Sequence, residues 1–466
     1  MNLTELLEQT AERWPDKLAV IEGNTSLSYA GLLARTAVLA AQLQPFQIFP
    51  GSRVGLCFPN SINYVALTFA LWRIGAVVVP IPTEYPESEV NTIAETMRLS
   101  AIISWQPRPG STSWLPEIFF TKLESETAPD NHGLNLAFIR FTSGTTGERK
   151  GVALCHESIR DRVVAANQAL RLGPDDTVMW CLPMAHHFLV TIVLYLSVGA
   201  TIVLARHVLA RPFLESINHH RGTVLYAAPF HYALLARDNS GSQLASVRLA
   251  VSTTCALPSD VAENFQQRFG LPLTQALGVI ELGLVCVNDN PIARPKSVGR
   301  PSSAYAVRIC QPDAAGFGEV QFSGPGFFDA YDHPWTTREQ LMPDNWFATG
   351  DIGCVDAQGY LQLAGRKAAV INLAGRKIFP EEIEAVLNRH PAVREARVFG
   401  VAHRQVGETV EAEVAVHHAI EPDALRDFCR LHLSIEKIPS RITLVPAIAK
   451  TAVTGKIRRV SVATPA

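Results

Sequence analysis

The sequence contains no C-x-x-C pair among its eight cysteines, which are scattered over 466 residues. That scatter argues against a zinc site and a disulfide framework, and it favours a reducing, cytoplasmic environment. The net charge is only −2, without the large basic excess that would indicate a nucleic-acid partner. The first residues are acidic and amphipathic, so they do not form the pattern of a signal peptide.

The uncharged segment 188–205 has the roughly 18 residues that a membrane-spanning helix needs. Its two halves differ, because 188–198 suits a buried helix whereas 201–204 is β-branched and suits a strand. Gly199 separates these halves. We therefore expect no transmembrane segment.

Hydrophobic residues make up 47% of the chain and charged residues 18%, which is a globular composition. A chain of 466 residues is too long for one core, so we expect two or more domains. Helical periodicity alternates with short β-branched runs, which predicts parallel sheet with helices on both faces. The segments 71–79 and 195–203 share a helix–Gly-Ala–strand plan. A generic α/β connection and an internal duplication explain this plan equally well. We predict an α/β fold with two packed α/β subdomains.

The pattern changes towards the C-terminus. Short strands flanked by turns at 318–322 and 359–363 predict a small β-rich subdomain. A helix is predicted to begin within 378–384, where proline and acidic residues occupy the first turn. We predict an N-terminal domain over 1–364 and a small α+β domain over 365–466.

The most informative stretch is 141–151, Phe-Thr-Ser-Gly-Thr-Thr-Gly-Glu-Arg-Lys-Gly, which follows an apolar strand interrupted only by Arg140. Glycines let successive backbone N–H groups turn inward, hydroxyls add donors without bulk, and Lys150 adds a positive charge. The stretch predicts a phosphate loop. Its glycines and lysine do not have the spacing of the common P-loop.

This loop resembles the signature of the adenylate-forming (AMP-binding) superfamily, in its acyl-CoA synthetase and aryl-acid ligase branch, and the resemblance covers nearly the whole chain. It implies ATP bound between two α/β subdomains and a mobile C-terminal cap. Arg149 replaces the usual proline, which removes some stiffness. The implied ATP-binding residues of the loop are Thr142, Ser143, Gly144, Thr145, Thr146, Gly147 and Lys150.

The segment 277–281 resembles the family motif of an aromatic residue, glycine, any residue, threonine and glutamate. In the family this glutamate binds the Mg²⁺ that bridges the ATP phosphates, which assigns Glu281 as the metal ligand. Leu277 and Gly278 take the positions beside adenine. Leu277 replaces the aromatic residue, and Ile280 replaces a threonine that donates to the α-phosphate, although the aryl-acid branch often omits that threonine.

Three further residues follow from the resemblance. Asp351 corresponds to the carboxylate that accepts both ribose hydroxyls, and Arg366 corresponds to the second ribose contact. Lys456 corresponds to the lysine that bridges the attacking carboxylate and the α-phosphate and lowers the barrier electrostatically. We prefer Lys456 to Lys450 because Gly455 provides a close turn.

The segment 182–188 resembles Leu-Pro-x-x-His, whose histidine closes the acyl pocket, and this assigns His186 a catalytic role beside Glu281 and Lys456. His187 stands where amino-acid-activating domains carry aspartate, so an α-amino acid is disfavoured. No acid or cysteine at metal-ligand spacing accompanies the two histidines. The implied pocket also contains Tyr226, Thr253, Thr254 and Cys255.

The family usually has Gly-Gly where this chain has Thr253 and Thr254. Two branched side chains would narrow the acyl slot or form a hydrogen bond with a substituent of the acid. We expect a flat or unbranched hydrophobic acid, aromatic or medium-chain. Ala369 replaces the usual charged pivot of the domain hinge, and alanine remains compatible with rotation. Gly375 would line the pantetheine tunnel.

The resemblance implies a two-step ligase: a small-molecule carboxylic acid attacks the α-phosphate of ATP, and a thiol then captures the acyl group from acyl-AMP. The thiol is coenzyme A or the phosphopantetheine of a separate acyl carrier protein, and the residues leave this choice open. One alternative is a catalytically reduced nucleotide-binding homologue, and the residues that motivate it are Leu277, Ile280, Thr253, Thr254 and Ala369. Another alternative is a ligase that passes acyl-AMP to an amine.

Overall fold

A computed structural model describes residues 1–123, 130–143, 149–205, 208–373, 376–403 and 407–449. The chain divides into two compact units. The first unit comprises Met1–Ala306 and Ser323–Trp346, and the second comprises Val307–Phe322 and Phe347–Ala466. The second unit therefore includes a small sheet that the sequence pattern grouped with the N-terminal domain.

Helices and strands alternate through most of the described chain. The strands are β1 (Leu18–Glu22), β2 (Thr25–Ser28), β3 (Arg53–Cys57), β4 (Val77–Pro80), β5 (Ala101–Ser104), β6 (Thr112–Leu115), β7 (Ile118–Lys122), β8 (Leu136–Ser143), β9 (Arg149–Cys155), β10 (Thr177–Trp180), β11 (Thr201–Leu204), β12 (Val224–Ala227), β13 (Leu249–Ser252), β14 (Thr274–Val279), β15 (Gly283–Val287), β16 (Arg300–Pro301), β17 (Ala306–Cys310), β18 (Gly318–Ser323), β19 (Ala330–Asp332), β20 (Thr336–Thr337), β21 (Phe347–Val355), β22 (Leu361–Arg366), β23 (Ile371–Leu373), β24 (Arg376–Ile378), β25 (Val393–His403), β26 (Gly407–Val416) and β27 (Arg441–Leu444). The helices are α1 (Thr4–Arg13), α2 (Tyr29–Leu43), α3 (Ile62–Arg73), α4 (Glu87–Thr96), α5 (His156–Leu170), α6 (Met184–His187), α7 (Val193–Ser197), α8 (Ala210–His219), α9 (Pro229–Ala236), α10 (Ser259–Phe269), α11 (Arg338–Leu341), α12 (Pro380–Leu387) and α13 (Pro422–Arg430).

The first unit contains two nine-stranded sheets. The first has the order β16-β15-β14-β13-β12-β10-β11-β1-β2, and its six strands from β14 to β1 are parallel. The second has the order β20-β19-β9-β8-β4-β3-β5-β7-β6, with β8, β4, β3 and β5 parallel. The predicted parallel sheet is thus the centre of each, and antiparallel strands form the edges.

The centres of these sheets are parallel because their strands can be buried on both faces. Every residue of β3, β4, β5, β11 and β12 is buried, and most are aliphatic. Helix α3 is apolar all round and almost fully buried, as expected of a helix packed inside the unit. It begins at Ile62, because the Ser61 side chain accepts from the Tyr64 backbone N–H and caps the helix.

The two helix–Gly-Ala–strand segments have matching geometry. Gly75 and Gly199 end their helices with φ of 75° and 78°, and each leads into a central strand, β4 and β11 respectively. Glycine is favoured at such left-handed helix ends. The segment 188–198 is not one regular helix, since a π-helical turn, Phe188–Ile192, precedes α7. Such turns occur frequently at functional sites.

The second unit contains the four-stranded sheet β17-β18-β21-β22 and a sheet of β24-β23-β26-β25, to which β27 is added beside β26. Helices α12 and α13 pack with this second sheet around Ile383, Val398 and Leu425. This confirms a smaller α+β part at the C-terminus. Strands β19 and β20 lie outside this part, because β20 pairs with β19 and β19 pairs with β9 of the first unit.

Within the residues that the structure describes, we find no helix with the length and apolar character that crossing a membrane requires. The apolar run 188–205 instead becomes a π-helical turn, α7 and strand β11.

A buried histidine holds the N-terminal helix in place. The Leu3 backbone N–H donates to Nδ1 of His156 at 3.1 Å, and the His156 residue is only 1% exposed. Burial lowers the pKa of His156 to about 4, below the value of about 6.5 for an exposed histidine. The unfolded chain therefore binds a proton between these pH values that the folded chain does not, and stability falls as pH decreases.

We expect this histidine to lower the free energy of unfolding by about 2 kcal/mol between pH 7 and pH 5. Guanidinium unfolding of the wild type and of His156→Gln at both pH values measures the effect. Glutamine can accept the same hydrogen bond and does not titrate, so the variant should lose this part of the pH dependence. Equal pH dependence in both proteins would contradict the assignment.

Candidate active site

Strands β10, β12 and β13 are parallel neighbours, so their carboxyl ends lie side by side at the same end of the first sheet. Ligands of open α/β sheets bind outside the carboxyl ends of the strands. The Trp180 ring lies 5.9 Å from the Tyr226 ring in a stacked arrangement and 6.3 Å from the His187 ring. The Thr253 side chain lies close enough to the Tyr226 hydroxyl to oppose the rise of its pKa. The structure thus brings together three of the predicted pocket residues.

This aromatic wall is almost dry. Trp180 and Tyr226 are buried, and burial raises the pKa of Tyr226 to about 12, so its hydroxyl keeps its proton at neutral pH. The polar groups of this wall are therefore a phenol and an indole N–H, and neither of them is charged. Sequence reasoning missed Trp180, whose only signal is an aromatic residue at the end of a strand.

Thr254 has an unusual backbone conformation beside this wall. Its φ is +78°, in the left-handed region that a β-branched residue rarely adopts. Its hydroxyl lies 3.9 Å from Sγ of the exposed Cys255. Strain of this kind costs on the order of 1–3 kcal/mol and is found at functional sites.

Arg140 connects the strand before the phosphate loop to the histidine segment. Its Nη1 donates to the His186 backbone carbonyl at 2.5 Å, and its Nη2 lies 3.4 Å from Nδ1 of the same residue. The side chain that interrupts the apolar pattern of β8 thus contacts a residue predicted to be catalytic.

Glu281 lies just beyond β14 and accepts a hydrogen bond from the Tyr331 hydroxyl at 3.0 Å. The Lys150 ammonium lies 5.1 Å from the centre of the Tyr331 ring, a cation–π contact. Burial, and then the charge of Glu281, raise the pKa of Tyr331, so this hydroxyl is a donor at neutral pH. Tyr331, which sequence reasoning missed, therefore joins the predicted metal ligand to the lysine of the loop.

A buried arginine fixes the backbone around Glu281. Arg162 donates from Nε to the Gly326 carbonyl at 2.8 Å, from Nη1 to the Ile280 carbonyl at 2.9 Å, and from Nη2 to the Glu281 carbonyl at 3.3 Å. Burial lowers its pKa to about 10, so it remains charged at neutral pH. A Cβ at Gly326 would lie 2.4 Å from the Arg162 backbone nitrogen, so this approach requires glycine.

A cation at Glu281 would be held mainly by groups other than protein. Among the described residues, no cluster of three or more histidine, cysteine or acidic side chains could hold a metal ion. One carboxylate is nevertheless suitable for Mg²⁺, which keeps several waters and binds nucleotide phosphates. The donor set therefore fits a metal that arrives with a polyphosphate.

Leu277 and Gly278 lie on β14, where they pair with Cys286 and Leu284 of the next strand. A Cβ at Gly278 would come within 3.3 Å of the Gly283 carbonyl oxygen. This close pairing favours glycine at the position predicted to lie beside adenine.

In the second unit, Asp351 and Arg366 occupy opposite positions on β21 and β22. Arg366 Nε lies 3.0 Å from the Asp351 carboxylate, and its Nη1 donates to the Thr349 carbonyl at 3.0 Å. Thr349 Oγ1 accepts from the Asp351 backbone N–H at 3.1 Å. The structure thus pairs the two residues predicted to contact ribose.

Two of the predicted loop residues lie at the end of a strand. Backbones of Thr142 and Ser143 continue β8 opposite Lys150 and Arg149. The remaining predicted site residues lie outside the described part of the chain: Gly144, Thr145, Thr146, Gly147, Gly375 and Lys456.

Comparison with protein families finds that the AMP-binding enzyme model matches residues 7–332 and that the AMP-binding enzyme C-terminal domain model matches 382–456. Oxalate–CoA ligase of Arabidopsis thaliana is 27% identical over 98% of this chain and 97% of its own. Sulfoacetate–CoA ligase of Cupriavidus necator is 28% identical over 98% of this chain and 96% of its own. The medium-chain fatty-acid–CoA ligase of Escherichia coli is 27% identical over 98% and 89%.

Solved structures give a similar result. ATP-bound MatB from Rhodopseudomonas palustris superposes with a TM-score of 0.85 at 23% identity over 98% of this chain and 97% of its own, which establishes the fold. The anthranilate CoA ligase AuaEII, solved with anthranoyl-AMP, is 25% identical with a TM-score of 0.82 over 98% and 96%. The amide bond synthetase McbA from Marinactinospora thermotolerans is 25% identical with a TM-score of 0.79 over 98% of both chains.

Proposed function

The chain belongs to the AMP-binding enzyme family, and we propose on that premise that it is an ATP-dependent ligase joining a carboxylic acid to coenzyme A. The acid carboxylate attacks the α-phosphate and releases pyrophosphate, which leaves acyl-AMP. The thiol then attacks the acyl carbon, and AMP departs as the thioester forms. The arrangement of Lys150, Tyr331 and Glu281 carries this proposal, because it sets an ammonium and a carboxylate beside the predicted phosphate loop.

Each proposed role follows from the chemistry of its side chain. Lys150 neutralises phosphate charge, and Glu281 would hold Mg²⁺, which bridges phosphate oxygens. Asp351 offers two acceptor oxygens for the ribose diol. Lys456 stabilises the charge that develops as the carboxylate attacks. His186 closes the pocket of the acid.

For the acid we propose a flat aromatic or unbranched medium-chain compound. Trp180 and Tyr226 form a buried aromatic wall, and His187 supplies no fixed negative charge for a substrate ammonium. AuaEII, with its bound anthranoyl-AMP, supports an aromatic acid. The family alone does not select the class, because the relatives named above act on acids as different as oxalate and medium-chain fatty acids.

A panel of acids with ATP, Mg²⁺ and coenzyme A tests this function, with pyrophosphate release and product mass as the readouts. The panel contains benzoates, medium-chain fatty acids, oxalate and sulfoacetate. Pyrophosphate and a thioester with the hydrophobic acids support the proposal. Turnover with oxalate or sulfoacetate alone would overturn the substrate class, and silence with every acid would overturn the ligase assignment.

An amine is a second candidate for the acceptor of the acyl group. The likeness to the amide bond synthetase McbA favours testing amines as acceptors of the acyl group. Mass spectrometry of products formed with coenzyme A, with a phosphopantetheinylated carrier protein and with a primary amine separates the three acceptors. A thioester of coenzyme A is the expected product. If no acceptor and no acid yields product, Leu277→Tyr with Ile280→Thr tests whether restoring family residues recovers pyrophosphate release.

Thr254→Gly is expected to raise the free energy of unfolding by about 1 kcal/mol, because glycine adopts φ of +78° without strain. The same change should widen the slot and lower the KM for branched acids. Denaturant unfolding and KM measurements over branched and unbranched acids give both readouts.

Thr253→Gly is the matched control, because it removes a buried hydroxyl near Tyr226 and relieves no left-handed backbone. It should lower stability. If Thr254→Gly destabilises as much as Thr253→Gly, the strain at Thr254 is not real.

A further inference from the structure

Arg140 is a partly buried cation, and its set of partners is incomplete. Within the described part of the chain, its two terminal nitrogens approach only His186, and its Nε is buried without a hydrogen-bond partner. No described acidic side chain lies within ion-pair distance of the guanidinium, although the charge of Glu281 influences it. A partly buried arginine that no described carboxylate neutralises is costly, so it requires a reason to be retained.

The contact with His186 is directional. Burial lowers the pKa of Arg140 to about 10, and Glu281 opposes that shift, so the guanidinium stays protonated at neutral pH. A guanidinium has only donors, and therefore Nδ1 of His186 can only accept from Nη2 at 3.4 Å. A proton on Nδ1 would place two N–H groups against each other.

The second contact fixes the backbone from which the ring projects. Arg140 Nη1 donates to the His186 carbonyl near the end of α6, directly before the π-helical turn Phe188–Ile192. One guanidinium thus holds both the main chain and the ring of the same residue. A lysine ammonium is a compact point charge, whereas the planar guanidinium can donate to the His186 carbonyl oxygen and to its Nδ1 at the same time.

We propose that Arg140 is a positioning residue that holds His186 as the neutral tautomer with its proton on Nε2, so that the imidazole donates to an oxygen of the substrate acid. This inference rests on the proposed function, which assigns His186 to the acid pocket. Arg140 acts through His186 and does not itself contact substrate.

Removing the guanidinium frees Nδ1 to carry the proton. Nε2 then presents a lone pair to the carboxylate oxygen, and the two repel each other. Arg140→Met should therefore raise the KM for the acid about tenfold, while the KM for ATP changes little. Arg140→Lys keeps a donor near the carbonyl and should recover part of the loss. A merely structural effect would change both KM values together or lower stability alone.

Nitrogen-15 NMR of histidine-labelled full-length protein measures the tautomer directly. The His186 signal is assigned by its absence from the spectrum of His186→Asn. The proposal expects Nε2 protonated and Nδ1 unprotonated in the wild type, and a shift towards protonated Nδ1 in Arg140→Met. Wild-type protein with Nδ1 protonated overturns the proposal, and so does an unchanged tautomer in a folded Arg140→Met.

The wild-type spectrum and Arg140→Lys decide the matter even if Arg140→Met does not fold. The spectrum needs no turnover, so its result is independent of the acid panel. An inactive panel with the expected tautomer would remove the ligase function and leave the Arg140–His186 contact standing. An active panel with the opposite tautomer would remove only this inference.

Discussion

Replacing Lys456 by alanine is expected to slow acyl-AMP formation about 10²–10³-fold, because one preorganised charge at the reacting phosphate is lost. The ammonium would interact with the attacking carboxylate and the α-phosphate most strongly when negative charge crowds between them. Single-turnover pyrophosphate release with saturating acid and ATP measures this step alone. The KM values should change much less than the rate constant.

Lys450→Ala is the matched control, since Lys450 lies six positions earlier in the same C-terminal segment. It should leave adenylation nearly unchanged. Chemically prepared acyl-AMP supplied with coenzyme A should still give thioester in Lys456→Ala, because that half-reaction does not need the lysine. An unchanged adenylation rate in Lys456→Ala, or equal losses in both variants, would contradict the assignment.

Glu281→Gln is expected to lower the adenylation rate about 10²-fold and to shift the half-saturating Mg²⁺ concentration upward. Glutamine keeps the size of the side chain and can still accept from Tyr331, but it removes the negative charge that would hold the cation. A magnesium titration of pyrophosphate release measures both effects. A rate that recovers at high Mg²⁺ would identify the loss as one of metal affinity.

Tyr331→Phe distinguishes the role of the Glu281 carboxylate from that of the Tyr331 hydroxyl that donates to it. It removes the hydroxyl that donates to Glu281 at 3.0 Å and keeps the ring beneath Lys150. We expect a loss of about tenfold or less, since the carboxylate remains. The Glu281 role fails if Glu281→Gln keeps wild-type activity at low Mg²⁺, or if Tyr331→Phe costs more than Glu281→Gln.

Local sequence patterns predicted the strands and helix ends that are determined by residues adjacent in the sequence. The continuous apolar strands β4 and β11 and the glycine ends at Gly75 and Gly199 follow from β-branched runs and left-handed backbone, both readable in sequence. The 188–198 segment was less predictable, because a π-helical turn and an α-helix can share the same apolar composition.

The site was predicted only where a motif lies within a few residues. Tyr331 was missed because it reaches Lys150 and Glu281 through the pairing of β19 with β9, and those strands are distant in the chain. Arg162 was missed because its partners are backbone carbonyls, which leave no trace in side-chain patterns. Arg140 was noticed only as an interruption of a strand, since its partner His186 follows on another element.

If the acid passes through an acyl-adenylate, one of its carboxylate oxygens must be transferred to AMP, and isotope labelling can follow that transfer. The acid is labelled with heavy oxygen in its carboxylate and allowed to react with ATP, Mg²⁺ and coenzyme A, and the nucleotide products are weighed by mass spectrometry. The account predicts AMP that carries one labelled oxygen, because a carboxylate oxygen remains on phosphorus when the thiol captures the acyl group. Unlabelled AMP, or ADP with labelled phosphate, would contradict it.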